Sequence, residues 1–192
     1  APLVKVLSQI RFSSIASIGR KEFIAPFQEA IRHNYPKLEQ DQGIEVSFSP
    51  QGGSFSNKVI WRMLDKNLQW RVSIGENFLS LETSQSPGRE AFLKALKEVI
   101  EKLQSTIKPD LVERIGLRYI NRIIFNSRDR LATLLQPGVL GIVDDEVDEY
   151  LASSFTETRF LLPDGLKVNG KWGLLPGNQS YDPTVLPPIE TQ

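Results

Sequence analysis

The run Arg114-Ile115-Gly116-Leu117-Arg118-Tyr119-Ile120-Asn121-Arg122-Ile123-Ile124-Phe125 limits what this chain can fold into more than any other stretch. Side chains of a strand point alternately to opposite faces. Read as a strand, Ile115, Leu117, Tyr119, Asn121, Ile123 and Phe125 share one face. Arg114, Gly116, Arg118, Ile120, Arg122 and Ile124 share the other. The arginines then recur roughly 13 Å apart, at ~3.3 Å per residue. The expectation is a sheet with its oily side inward. Its other side presents a row of guanidinium groups to a partner or pairs them with internal acids.

The rest of the chain supplies a sheet for that strand to join. Leu3 to Phe12 alternates, with Val4, Val6, Ile10 and Phe12 on one face and Lys5, Gln9 and Arg11 on the other. Glu22 to Asn34 reads as a helix with Phe23, Phe27, Ala30 and Ile31 as its apolar stripe. Pro26 is tolerable only in a first turn, which places the start near Lys21 or Glu22. Strands are expected at Ile44–Ser49, Lys58–Leu64, Leu68–Gly75 and Phe78–Thr83. Ser86-Pro87 is a good helix start, and Phe92, Leu93, Leu96, Val99, Ile100 and Leu103 then recur at helical spacing until Pro109. Beyond the arginine strand come a short helix candidate at Arg128–Leu135 and an irregular stretch at Pro137–Val143. An acidic run over Asp144–Glu149 and strands at Ala152–Leu162 and Leu166–Leu174 follow.

This order predicts an α+β fold of curved antiparallel sheets with packing helices, β-α-β-β-β-β-α followed by a partial repeat. The plan resembles the saddle of TATA-binding-protein-like and helix-grip folds, an analogy of element order that carries little about function. The expected divisions are a first half at 1–108, an incomplete second half at 109–174 and a loop or tail at 175–192.

Composition narrows the function classes. Lys+Arg and Asp+Glu balance at 23 each, so no global field draws the protein to nucleic acid or to a membrane, and any basic surface is local. The chain has no cysteine, which removes disulfides, thiolate metal sites and a cysteine nucleophile. That usage fits a cytoplasmic protein. No apolar run is long enough to span a bilayer.

The opening Ala1-Pro2-Leu3-Val4 with Leu7-Ser8-Gln9-Ile10-Arg11-Phe12, and above all Arg114 to Ile123, resemble the signatures of a sporadically distributed family of bacterial proteins of unknown function. Leu175-Pro176-Gly177-Asn178 with Asp182-Pro183 is a further match. The resemblance covers most of the chain and implies no catalytic residues. It implies that members continue through another strand and a C-terminal helix, so this chain looks incomplete beside them. Sporadic distribution is what defence-associated bacterial genes often show.

No constellation here carries a recognisable reaction. His33 is the sole histidine and sits near a helix end, where a surface or capping role is the plain reading. The acidic run lacks the alternation and central glycine of a calcium loop. Gly52-Gly53 lies between strands, without the lysine and hydroxyl of a phosphate loop. Trp61, Trp70, Phe78 and Tyr119 could form a stacking platform, although Trp70 alternates with Leu68 and Val72 as a core residue does. No metal or cofactor is implied. Candidate binding residues are Arg114, Arg118 and Arg122, extended by Arg11, Arg62 and Arg71 if their strands adjoin. Arginine suits such a role because its planar fork bonds carboxylate or phosphate in pairs. The expectation is a non-enzymatic module that binds a protein partner or a second copy. A nucleic-acid-binding saddle is the first alternative, and an enzyme of unrecognised type the second.

Overall fold

The computed structural model describes residues 2–49, 52–85, 87–125, 131, 133–144, 150–176 and 179–180, with the backbone alone described at 42–49, 52–58 and 143–144. The chain divides into two compact units, Ala1–Ile123 and Ile124–Gln192.

The first unit is one antiparallel sheet and two helices, in the element order read from the sequence. Strands β1 (Leu3–Phe12), β2 (Lys37–Ser49), β3 (Gly52–Leu64), β4 (Trp70–Gly75), β5 (Phe78–Thr83) and β6 (Val112–Asn121) lie side by side as β2-β3-β4-β5-β1-β6. Helix α1 (Lys21–Ile31) follows β1, and α2 (Arg89–Thr106) links β5 to β6. The arginine strand was expected to open a second half. In the structure it pairs with β1 from Leu3↔Asn121 to Phe12↔Val112, within the compact unit that runs to Ile123.

Register carries each strand's alternation across the whole sheet. Residues directly opposite in an antiparallel pair share a face. Trp61, Ile74, Leu79, Ile10 and Ile115 therefore form one row. Met63, Val72, Leu81, Ser8 and Leu117 form the next. Both helices pack on this face. Ile24, Phe27 and Ile31 of α1 and Phe92, Val99 and Leu103 of α2 join Val6, Ile10, Met63, Val72, Ile74, Leu79 and Leu81 in a single core. Each such side chain, once fully buried, is worth ~1.5–3 kcal/mol. The Phe92 ring stacks on Trp70 with centroids 5.9 Å apart.

Local details follow the residues. Arg20 and not a hydroxyl residue precedes α1, and Pro26 sits beyond its first turn on the exposed side, so the amide that would bond the Glu22 carbonyl is missing. The start of α2 falls later than Ser86-Pro87 suggests: Gly88, at φ 81°, is its N-cap, and Ser86 lies outside the described residues. At its end Ile107 and Lys108 both donate backbone bonds to the Leu103 carbonyl, Lys108 with φ 55°, before Pro109 stops the helix. Strands β2 and β3 are longer than their alternation indicates, pairing from Lys37↔Leu64 to Ser49↔Gly52.

In the second unit, a helical turn at Pro137–Leu140 and a 3-10 turn at Gly141–Asp144 occupy the stretch expected to be irregular. Strands β7 (Thr156–Leu161) and β8 (Lys167–Trp172) form the expected hairpin. Its base depends on Gly173: a Cβ there would lie 2.0 Å from the Ser154 carbonyl oxygen. Half of the helix expected at 128–135, the acidic residues 145–149 and residues 181–192 lie outside the described residues.

Candidate binding surface

The helix-free face of the sheet holds the candidate arginines. Register aligns Leu64 with Arg71, Arg71 with Glu82, Glu82 with Leu7 and Leu7 with Arg118. A second line joins Gly75, Phe78, Arg11 and Arg114. Arg62, opposite Glu39 and Ser73, is on the same side. Arg11, Arg62, Arg71, Arg114 and Arg118 thus share one face, as anticipated if their strands adjoined. Arg122 lies just past β6 and is half-buried, with its amide bonded to the Pro2 carbonyl at 2.7 Å.

Ion pairing divides these cations into two groups. Arg71 reaches Glu82 at 2.5 Å, and Lys5 reaches the same carboxylate at 3.3 Å. The Glu82 side chain is only 16% exposed. Asp41 pairs with Arg62, and Glu39 with Lys37 at 3.0 Å. These are the carboxylates of the face among its described side chains: Glu39 and Asp41 serve β2 and β3, and Glu82 is shared by Arg71 of β4 and Lys5 of β1. Arg114 makes one long contact, to the Gln9 amide oxygen at 3.4 Å. Arg11 and Arg118 are exposed and form no ion pair or hydrogen bond among the described residues. Internal pairing, including to Glu82, therefore accounts for Arg62 and Arg71 but not for the arginines of β1 and β6. Glu113, the other acid considered as an internal partner, sits at the register shift between Arg11 and Phe12 and forms no ion pair among the described residues.

The oily side of β6 contradicts expectation. Ile115, Leu117 and Tyr119 do lie on the helix side of the sheet, opposite Ile10, Ser8 and Val6. Yet they are 64%, 46% and 51% exposed. The reason is position. The helices cover the centre of the sheet, and β6 is its last strand, so an inward-pointing row ends up beyond the core. Alternation reports which face a side chain takes, not whether anything covers that face.

The β6 backbone is equally open. The Phe12 amide bonds the Asn77 carbonyl on the β5 side, while the Ser13 amide bonds Leu111 and the Arg122 amide bonds Pro2. The Ser8 hydroxyl donates to the Gly116 carbonyl at 3.2 Å. Antiparallel pairing alternates the direction of successive peptide groups. Even-numbered β6 residues therefore turn N–H and C=O toward β1. Ile115, Leu117 and Tyr119 turn theirs to the outer edge, which has no strand partner among the described residues.

The aromatic platform does not assemble. Trp61 is buried at 3% exposure and donates its indole N–H to the Ile18 carbonyl at 2.7 Å, tying the 3-10 turn Ala16–Gly19 to the core. Trp70 stacks within the core, Phe78 faces the arginine side over Gly75, and Tyr119 faces the helix side. His33 is an exposed residue just past α1, on the rim of a cleft of about 420 Å³ between α1 and α2 that Glu98, Glu101 and Lys102 also line. Nothing in the sequence marked this cleft. Burial, then the Glu98 and Asp65 carboxylates, push the Tyr35 phenol at its floor up to about 12. Among the described residues no three metal-ligating side chains cluster, and no helix is long and apolar enough to cross a membrane. No protein-family model and no curated protein matches this sequence.

Proposed function

We propose that the chain is a non-enzymatic binding module that contacts an acidic protein partner through the β1 and β6 end of its sheet. One observation carries this reading. Arg11, Arg114 and Arg118 share a face, are exposed, and have no carboxylate partner among the described residues, while the described acids of that face are engaged elsewhere. Arranged cations of this kind give specificity and a faster encounter with an acidic surface. A partner's Asp or Glu side chains would meet planar guanidinium forks without displacing a carboxylate described in the structure. The family resemblance, and with it a setting in bacterial defence or a toxin-linked system, belongs to the same proposal.

The test is binding of an acidic polypeptide to the whole protein at rising ionic strength. Affinity should fall with salt, because exposed charges are screened within ~8–10 Å near physiological ionic strength. Arg118→Glu should abolish the interaction and leave the circular dichroism spectrum unchanged. Undiminished affinity in that variant removes the reading. Phosphates would also satisfy arginine, so a gel shift at low salt tests the nucleic-acid alternative. The separation of Phe78 from Tyr119 and the burial of Trp61 count against a stacking platform built from those residues.

A further inference from the structure

We infer that β6 takes up an extended segment of the partner as an added antiparallel strand, one whose residues alternate between acidic and apolar. This rests on the reading of the arginine face as a binding surface and gives that surface its mode of recognition. Three features of one strand meet here. The outer edge of β6 presents the N–H and C=O groups of Ile115, Leu117 and Tyr119. Edge groups of this kind, without a strand partner among the described residues, are what strand addition uses, main-chain bonds giving affinity and alternate side chains giving specificity. The helix side of the same strand carries the exposed row Ile115, Leu117 and Tyr119. The far side carries Arg114 and Arg118, flanked by Arg11 on β1.

Side-chain period fixes the chemistry of the occupant. In an incoming strand, residues opposite Ile115, Leu117 and Tyr119 share their face and gain by being apolar. The residues between them fall on the side of Arg114 and Arg118 and gain by being Asp or Glu. A second copy of β6 satisfies only the first condition: pairing two such strands collects the arginines of both on one face with no acid among them. Charge complementarity thus favours an acidic partner over self-association. Antiparallel addition extends the pattern of every neighbouring pair in the sheet.

The parity of the bonds supplies a test that leaves the protein unaltered. In an antiparallel pair the outward groups of Ile115, Leu117 and Tyr119 bond to the peptide residues directly opposite, which are the apolar ones. The probe is a short blocked peptide alternating glutamate and valine, titrated against the full chain by calorimetry. Expected is salt-sensitive binding, weakened at least about tenfold when the valine amides are N-methylated. N-methylation of the glutamate amides, which point away from the protein, should leave affinity within about threefold. Binding that is lost in Arg118→Glu but indifferent to valine methylation overturns strand addition while the arginine face stands. Binding indifferent to Arg118→Glu, or no binding, overturns both. A dimer of the free protein that Leu117→Pro dissociates would name a second copy as the occupant and also overturn the inference.

Discussion

Glu82→Gln and Arg118→Glu change charge on the same sheet face, and the structure assigns them opposite consequences. Glu82 holds Arg71 at 2.5 Å and Lys5 at 3.3 Å, with side-chain exposures of 16% for Glu82 and Lys5 and 33% for Arg71. At about 3 Å and an effective dielectric constant of about 20, each attraction is worth ~5 kcal/mol before costs. Desolvation and side-chain ordering consume most of that, leaving ~1 kcal/mol per pair at this degree of burial. Removing the shared carboxylate forfeits both pairs and leaves two cations facing each other across its place. The expected cost of Glu82→Gln is ~2–3 kcal/mol, which lowers Tm by roughly 6–12 °C. Arg118 forms no ion pair or hydrogen bond among the described residues, so Arg118→Glu should move stability by no more than about 0.5 kcal/mol. Urea denaturation followed by far-UV circular dichroism measures both. A Glu82→Gln variant as stable as the parent would show that the Lys5–Glu82–Arg71 cluster holds nothing together. An Arg118→Glu variant destabilised by more than about 1.5 kcal/mol would show that Arg118 serves the fold.

Three further outcomes follow from the core. Trp61→Phe orphans the Ile18 carbonyl and shortens a buried ring, so it should cost ~2–3 kcal/mol in urea denaturation. A loss below about 0.5 kcal/mol would mean that the indole bond is not a tie. Pro26→Ala supplies the missing amide on the exposed side of α1 and should stabilise by at least ~1 kcal/mol; an unchanged or lower Tm refutes that account. The Tyr35 phenol titrates near 12 in the folded protein against about 10 when unfolded, so its contribution is intact below pH 10 and is lost as pH rises toward 12. That loss is worth ~2–3 kcal/mol, and Tyr35→Phe should flatten this part of a stability-against-pH profile; a profile that Tyr35→Phe leaves unchanged contradicts it.

Much of the fold is legible in the sequence because alternation and helical spacing are local. β1 runs over the residues its alternation marks, α2 shows its stripe, and Trp70, alternating with Val72, packs against the core. What local pattern could not supply is the neighbour. Ile115, Leu117 and Tyr119 have the look of core residues, and only strand order shows that β6 lies past the reach of the helices. The arginines pose the same problem. Spacing alone places Arg71 and Arg118 alike on a charged face, but Arg71 is opposite Glu82 and Arg118 is opposite Leu7. Strands β2 and β3 exceed their expected lengths because hairpin pairing recruits polar residues such as Glu39 and Gln40 that carry no alternating signal. Trp61 shows where a signal existed: it stands two residues before Met63, the spacing of one strand face, and both are buried.

Amide hydrogen exchange resolved along β6, before and after addition of the glutamate–valine peptide, tests the central claim most directly. In the free protein the amides of Gly116 and Arg118, turned toward β1, should exchange slowly, and those of Ile115, Leu117 and Tyr119 should exchange fast. Addition of the peptide should slow the second set selectively. If those three amides are unaffected by saturating peptide, or already protected without it, β6 is not the open, arginine-backed edge described above.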